Sequence, residues 1–187
     1  PPRLCDKCPH TDAYLALQYV PQPLTIYQGV HKLPPGYFMV VRPGEQPAPR
    51  PYATIDHAPR YAGITMVDAA REVRRTVEDA VRVRLMSDVP LGAFLSGGVD
   101  SSIIVACMAQ ASSAPVKTFS IGIGATRAQT ELPFARLIAD RYRTEHHEET
   151  VQPDAVALLP RIVRQYGEPF GDPSALPTWI LSEMTRK

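Results

Sequence analysis

A short apolar segment that leads directly into a pair of glycines restricts the fold of this chain more than any other feature. Residues 91–95 read LGAFL and residues 96–102 read SGGVDSS. The first segment has the length of a buried strand, and the apolar run that follows the loop predicts a buried helix. A second strand over 116–123 and a helix over 132–141 come next. Because strand and helix alternate, the sequence predicts parallel strands joined by crossovers, an α/β doubly wound sheet.

The residues before this unit divide into three parts. Residues 1–47 predict a β-rich piece: a short helix begins after Asp12, and strands cover 24–27 and 37–41. Prolines with few aliphatic neighbours predict a linker, placed at 48–64. An amphipathic helix then opens a second domain, which we place at 65–187.

Composition and charge exclude several classes of function. The chain has 187 residues, of which 20 are basic and 19 are acidic, so its net charge is +1. No broad field therefore attracts nucleic acid, and any phosphate binding must be local. No apolar run approaches the roughly 18 residues of a membrane span, and the first residues lack a signal-peptide pattern. We expect a cytoplasmic protein that binds neither nucleic acid nor membrane.

The cysteines and histidines give only weak signals for a metal site. Three cysteines argue against a disulfide framework. Cys5 and Cys8 have the spacing of a metal or redox pair, but no second pair follows, so a surface loop is the favoured interpretation. Cys107 falls on an apolar helical stretch and indicates core packing. His146 and His147 are adjacent, and neighbours on a strand point to opposite faces, which disfavours shared ligation.

The loop at residues 96–102 has the chemistry of a phosphate site. Ligands of such sheets bind beyond the carboxyl ends of the strands, where this loop begins. Gly97 and Gly98 let the backbone approach a phosphate closely, and the helix that begins near Asp100 adds its positive end. Hydroxyl donors are available on Ser96, Ser101 and Ser102.

Asp100 indicates a metal-bound nucleotide. A carboxylate is out of place against bare polyphosphate unless it holds Mg²⁺ or orients the loop. The segment matches neither the Walker pattern nor the dinucleotide fingerprint. The competing interpretation, a plain tight turn, accounts for the glycine pair but not for the whole string.

The loop resembles that of the ATP pyrophosphatase superfamily. Residues 84–95, 117–122 and 168–178 narrow the resemblance to the glutamine-hydrolysing asparagine synthetase family. Residues 14–36 are similar to the end of the glutaminase domain of that family, so the resemblance covers almost the whole chain. It implies a PP-loop domain that binds adenine nucleotide, preceded by a short remnant of a glutaminase domain.

The resemblance also implies a reaction and its partners. ATP activates the side-chain carboxylate of aspartate as an acyl adenylate, pyrophosphate leaves, and ammonia derived from glutamine attacks to form the amide. A homodimer is compatible with the family. The cofactors implied are ATP and Mg²⁺.

Individual residues take roles from the same resemblance. Leu95 and Ile121 would contact the adenine or the ribose. The pyrophosphate portion and its Mg²⁺ would be held by Ser96, Gly97, Gly98, Asp100, Ser101 and Ser102, with Asp100 as the metal ligand. Glu131 and Glu168 are weaker candidates for the pocket, and an exposed glutamate at a helix start is the competing interpretation of Glu131. No catalytic residue is assigned.

The chain departs from the family pattern in three respects. It starts at Pro1 without the cysteine nucleophile of the glutaminase, and the acidic second loop and downstream lysine of the synthetase do not occur. Gly167 stands where relatives commonly carry an aspartate. We therefore expect an internal fragment that is inactive by itself. The alternatives are a non-catalytic nucleotide-binding fragment and amidation of a different carboxylate.

Overall fold

The computed structural model describes residues 9–57, 61–124 and 130–186, and the chain divides into two compact units. The first unit comprises Pro1–Arg60 and Val156–Pro173, and the second comprises Tyr61–Ala155 and Ser174–Lys187. No sequence pattern predicted that Val156–Pro173 would belong to the same unit as the N-terminal residues. The domain limits proposed from the sequence stay a prediction. Cys5 and Cys8 lie outside the described residues.

The first unit contains helices and one small antiparallel strand pair. Helix α1 covers Pro9–Leu17, β1 covers Tyr37–Phe38 and pairs with β2 at Arg50–Pro51, and α5 covers Ala155–Tyr166. The helix begins earlier than predicted, so Asp12 lies inside its first turn, where a carboxylate favours the positive helix end.

Two strand predictions in this unit are wrong in extent. Residues 24–27 contain a bend and an isolated bridge at Tyr27 rather than a regular strand, and the Thr25 hydroxyl donates to the carbonyls of Tyr27 and Val30 at 3.1 and 2.8 Å. Such local bonds compete with a strand ladder. The strand predicted over 37–41 is two residues long, and its partner Pro51 has no N–H with which to extend the ladder.

The second unit is an α/β sheet that carries most of the regular structure. Its elements are α2 (Met66–Arg84), β3 (Gly92–Phe94), α3 (Val99–Ala111), β4 (Lys117–Ile123), α4 (Leu132–Tyr142), β5 (Glu145–Val151) and α6 (Ala175–Arg186). Strands β3, β4 and β5 are parallel and lie in that order. The predicted α/β parallel sheet is confirmed.

Helices cover both faces of this sheet. On one face, α3 and α4 meet β3 in a core cluster of Leu95, Val105, Ala135 and Ala139. Helix α2 packs on α3 through a second cluster, which includes Val81, Met108 and Val116. Helix α6 lies on the opposite face, beside β4. Within the described ranges, no helix has the length and hydropathy of a membrane span.

Cys107 lies on α3 and packs against the second cluster, as its apolar context predicted. Burial raises the pKa of its thiol, with a smaller contribution from the Glu78 carboxylate. A thiol with a raised pKa is mostly protonated at neutral pH and is a weak nucleophile. Cys107 is therefore a partly buried packing residue at the edge of this cluster.

Helix α2 begins at a side-chain cap. Thr65 has an extended backbone, and its hydroxyl accepts a hydrogen bond from the Asp68 amide at 3.2 Å. Thr65→Ala is therefore expected to lower the free energy of unfolding by about 1 kcal/mol, measured by urea denaturation. Thr76→Ala on the same helix is the control, because this exposed threonine caps nothing and alanine has the higher helix propensity. Equal effects of the two substitutions would contradict the cap.

Candidate functional site

The start of the loop is fixed to β4 through both polar groups of Leu95. Its amide donates to the Phe119 carbonyl at 2.9 Å, and its carbonyl accepts a hydrogen bond from the Ser120 hydroxyl. Its side chain is 2% exposed and packs into the core beneath the loop. Because β3 and β4 are parallel, this anchor places the loop at the carboxyl end of the sheet.

Gly97 makes the closest approach in the loop. Its φ is +81°, and a Cβ at this position would lie 2.5 Å from the Ala135 nitrogen and 2.6 Å from the Phe134 carbonyl carbon. An L side chain fits neither the backbone conformation nor the space. The sequence predicted a glycine for approach to a phosphate, and the structure shows that Gly97 also brings the loop against the backbone of α4.

The three loop serines hold the loop itself together. The hydroxyl oxygens of Ser96 and Ser101 are 3.0 Å apart, and the Gly98 amide donates to the Ser96 hydroxyl at 3.2 Å. The hydroxyls of Ser101 and Ser102 both donate to the Gly98 carbonyl, at 3.2 and 2.7 Å. These bonds close the turn from β3 into α3 and fix the direction of the first helical amides.

Backbone amides at the start of α3 supply an anion-binding surface. Gly98 is the residue before the helix and makes no side-chain cap. The amides of Val99 and Asp100 begin the helix and so have no acceptor one turn earlier within it. They point out of the helix end, where the macrodipole is positive. A phosphate oxygen is the kind of acceptor that suits this position.

A cavity of about 280 Å³ adjoins the loop. Its volume is near the lower end of the range for ligand pockets, roughly 300 to 1,000 Å³. The predicted site residues that line it are Leu95, Ser96, Ser101, Ile121 and Glu131. The other lining residues are Phe94, Ser120, Leu132, Ala135, Pro177 and Leu181. Residues from the strand ends, from α4 and from α6 thus line one cavity.

The remaining predicted residues lie beside the cavity or in the other unit. Gly97, Gly98 and Ser102 belong to the loop, and Asp100 is exposed in the first turn of α3. Glu168 belongs to the first unit.

Glu168 has a defined partner in the first unit. It forms an ion pair with Lys32, whose ammonium also donates to the Val20 carbonyl at 2.7 Å. This contact gives Glu168 a structural role there.

Glu131 lies at a helix start, as the competing interpretation expected, and its role in a pocket stays a prediction. It is the exposed residue at the start of α4, and its carbonyl accepts from the amides of Phe134 and Ala135 at 3.0 and 3.1 Å. Its side chain makes no cap hydrogen bond to the helix, and the residue lines the cavity.

Ser120 is a site residue that sequence reasoning missed. It is 3% exposed, lines the cavity and holds the Leu95 carbonyl. A signal was present, because Thr118 and Ser120 are polar residues at alternate positions of the predicted second strand, and they lie on its buried face. Hydroxyls on the buried face of a strand need partners, and the neighbouring strand end was the nearest source.

The two adjacent histidines lie on opposite faces of β5. The side chain of His146 is 2% exposed and that of His147 is 44% exposed, so they cannot share a ligand. In the part of the chain that the structure describes, no group of three or more His, Cys, Asp or Glu side chains could hold a metal ion. A single carboxylate such as Asp100 fits Mg²⁺ only in its usual phosphate-bound mode, with phosphate oxygens as further ligands.

Comparisons with known proteins identify a family for this chain. Residues 72–187 match the asparagine synthase family. A Methanocaldococcus jannaschii protein named as a glutamine-hydrolysing asparagine synthetase is 34% identical over 180 residues, 94% of this chain and 34% of that protein. Asparagine synthetase 1 of Bacillus subtilis is 32% identical over 93% of this chain and 27% of its own length.

Two weaker similarities complete the comparison. The protein named amidase chry2 of Gibberella zeae is 38% identical over 82 residues, 43% of this chain and 12% of that protein. An ammonia-dependent NAD synthetase structure from Campylobacter jejuni has a TM-score of 0.35 and 16% identity, over 51% of this chain and 40% of that one. A TM-score this low carries no weight for the fold.

The family match covers most of the second unit and includes the whole loop and every residue that lines the cavity. The chain spans about a third or less of the length of the curated relatives described above. The chain belongs to the asparagine synthase family.

Proposed function

We propose that this chain supplies the ATP-binding part of an amide-forming ligase of the asparagine synthase type. The observation that carries the proposal is the loop at residues 96–102, which lies beyond the carboxyl end of β3 and next to a cavity of about 280 Å³. In this reaction ATP adenylates the side-chain carboxylate of aspartate and releases pyrophosphate. Ammonia derived from glutamine then forms the amide.

In this proposal the cavity binds the adenine or ribose of the nucleotide, and the loop with the start of α3 binds its phosphates. Leu95 and Ile121 give the cavity apolar walls suited to adenine or ribose. Ser96 and Ser101 lie at the junction between cavity and loop, and the first amides of α3 would face the phosphates. Glu131 borders the same hollow, where it can contact a ribose hydroxyl or an acceptor.

Asp100 would hold Mg²⁺ together with the phosphate oxygens of ATP. Its carboxylate is exposed at the positive end of α3, and Mg²⁺ is commonly bound through one or two carboxylates plus substrate phosphates. The ion would neutralise negative charge on the phosphates. Without it, the carboxylate would repel the nucleotide that the neighbouring amides attract.

The bonds made and broken define what the protein must stabilise. An oxygen of the aspartate carboxylate attacks the α-phosphorus, and the bond to the bridging oxygen of pyrophosphate breaks. Ammonia next attacks the acyl carbon, AMP leaves with the bonding electron pair, and a proton is lost to solvent. Charge grows on phosphate oxygens in the first step, so preorganised amides at the start of α3 would contribute by positioning and electrostatic stabilisation.

Binding of ATP tests the assignment of Asp100. We expect Asp100→Ala to weaken ATP binding at least tenfold in the presence of Mg²⁺ and to leave it unchanged or slightly stronger in EDTA, where the carboxylate only repels the nucleotide, measured by isothermal titration calorimetry. Tenfold corresponds to about 1.4 kcal/mol. Asp88→Ala removes the same charge from an exposed position before β3 and is the control. A tenfold effect in EDTA as well would show that Asp100 orients the loop instead of holding the metal.

A different acceptor is the second candidate, favoured by the similarity to the protein named amidase chry2. Exchange of labelled pyrophosphate into ATP, with a panel of carboxylates, separates the two. A chimera that carries residues 72–187 in the Bacillus subtilis relative is the protein to assay, with the unaltered relative as positive control. Exchange that depends on aspartate supports the first candidate, and exchange with another carboxylate alone supports the second.

A further inference from the structure

A cluster of polar groups joins α4 to β4 and β5, outside the cavity; the side chains of His146 and Glu148 are 2% and 14% exposed, whereas that of Arg136 is 39% exposed. It consists of Arg136, Glu148, His146, Thr118 and Thr144. Arg136 lies 3.1 Å from one oxygen of Glu148, and the other oxygen of Glu148 lies 3.4 Å from Nε2 of His146. Nδ1 of His146 is 2.9 Å from the Thr118 hydroxyl, which in turn is 2.7 Å from the Thr144 hydroxyl.

One arrangement of protons suits the two threonine hydroxyls and Nδ1 of His146, whereas Nε2 of His146 makes no hydrogen bond to any residue that the structure describes. If the imidazole is neutral, Nδ1 accepts from Thr118 and the Nε2 hydrogen faces the Glu148 carboxylate. Burial lowers the pKa of His146, and the nearby Arg136 lowers it further, while Glu148 opposes these effects. The neutral form is therefore the resting state at neutral pH.

The polar cluster has the order carboxylate, imidazole, hydroxyl, which also occurs in nucleophilic catalysis. Thr118 is 0% exposed, however, so its hydroxyl cannot reach a substrate. The remaining role for the polar cluster is to hold neighbouring parts of the fold in position. Its contacts identify those parts.

The polar cluster is connected to the loop by two short paths. Arg136 follows Ala135, whose backbone lies against Gly97, and the first turn of α4 lines the cavity. Glu148 is the register partner of Ser120, which holds the Leu95 carbonyl at the start of the loop. Movement of α4 away from β5 would therefore widen the cavity and release the loop.

We propose that Arg136, Glu148 and His146 position α4 against the loop and thereby set the affinity of the cavity for adenine nucleotide. The affinity part of this proposal rests on the proposed function, whereas the positioning part does not. The side chain of Glu148 is only 14% exposed, so the carboxylate needs its counter-charge. Removal of one partner from such a pair is more costly than loss of an exposed pair, because a charge remains buried.

Substitution of Arg136 tests the positioning role. We expect Arg136→Gln to weaken ATP binding about tenfold and Arg136→Lys to restore most of the affinity, because lysine keeps the charge. The control is Arg74→Gln, which breaks an exposed pair with Glu78 at 3.0 Å on α2. Affinities are compared well below the thermal unfolding midpoint of each variant. An unchanged dissociation constant in Arg136→Gln, with only a lowered midpoint, would overturn the proposal.

Hydrogen exchange gives a readout that does not need nucleotide. The Leu95 and Ser102 amides are hydrogen-bonded at 2.9 and 3.0 Å at the two ends of the loop. We expect them to exchange faster in Arg136→Gln but not in Arg74→Gln. If the wild type fails to bind ATP, the proposed function fails and this exchange comparison alone decides the positioning role. Equal exchange in both variants would overturn it.

Acidification tests the part played by His146. Protonation would place a second positive charge beside Arg136, with Glu148 and the neighbouring His147 as the other titratable groups that act on it. Since its folded-state pKa lies below the usual value of about 6.5, the stabilisation is present above that value and is lost as pH falls through the folded pKa. We expect loop exchange to accelerate as pH is lowered from 7 toward 5, after correction for intrinsic rates. His146→Asn keeps an acceptor for Thr118 and should remove this acceleration. The same acceleration in His146→Asn would exclude His146 as its source.

Discussion

Replacement of Gly97 by alanine is expected to lower the free energy of unfolding by about 3 kcal/mol and to abolish measurable ATP binding. The left-handed conformation at φ +81° costs an L residue about 1 to 2 kcal/mol. Crowding adds a further cost of about 1 to 3 kcal/mol. The atoms in the way are backbone atoms of Phe134 and Ala135 and the Cβ of Phe134, which is fixed to the backbone, so none of them can rotate aside as the end of a side chain would. The loop must move away from α4, and the cavity loses its shape.

Gly63 provides a matched control for this substitution. It lies in the same unit and has a φ of +79°, but a Cβ there would meet no atom within 4 Å. Gly63→Ala therefore carries only the conformational cost, about 1 to 2 kcal/mol. Urea denaturation of both variants measures the difference, and calorimetry measures ATP binding. Equal losses of stability in the two variants would contradict the close approach between Gly97 and α4.

The order of elements in the second unit was predictable because each element carries its own local signal. Strand β4 and helix α4 begin and end within one residue of the predicted limits of 116–123 and 132–141. Apolar runs of strand length and helical periodicity act within a few residues, and tertiary contacts reinforce them here. The alternation of these elements then left few topologies open.

The first unit was predicted less well because its order depends on contacts between distant residues. Aromatic and β-branched residues around Thr25 predicted a strand, but a strand needs a partner, and local hydroxyl bonds formed instead. The later segment joins this unit through bonds from the Tyr27 hydroxyl to the Gly167 carbonyl and from the Gly171 amide to the Gln18 carbonyl, both 2.9 Å. No local sequence pattern predicts hydrogen bonds between residues that lie so far apart in the chain.

In the candidate site, too, the residues of one short segment were predictable, whereas contacts between residues distant in sequence were not. The loop residues follow from the string SGGVDSS, and Ile121 from the resemblance to a family. Apart from Glu131, the contribution of α4 could not be predicted in this way, because the close contact of Gly97 with Phe134 depends on the crossover geometry. The polar cluster around His146 was also missed, since its partners Thr118 and Arg136 lie on other elements and no local pattern connects them. The site assignments stay predictions until ATP binding is measured.

Leu132→Ala is expected to remove about 2 to 5 kcal/mol of stability and to weaken ATP binding more than tenfold. The side chain is 2% exposed at the start of α4. Its Cδ1 atom lies 2.8 Å from the position that a Cβ of Gly122 would occupy, so it packs directly on the backbone of β4. It also lines the cavity next to Ile121. Truncation would leave a void that enlarges the cavity on the side where an adenine or ribose would pack.

Leu137→Ala makes the same chemical change on the same helix, at a side chain that is 66% exposed. Alanine has slightly higher helix propensity than leucine, and that small gain is shared by both variants. The exposed substitution should therefore change the free energy of unfolding by no more than about 0.5 kcal/mol. Since only Leu132 lines the cavity, the affinity for ATP should fall in Leu132→Ala and stay unchanged in Leu137→Ala. If Leu132→Ala unfolds more readily yet binds ATP as tightly as the wild type, the nucleotide does not occupy this cavity, and the loop would have to bind phosphate without a base pocket beside α4.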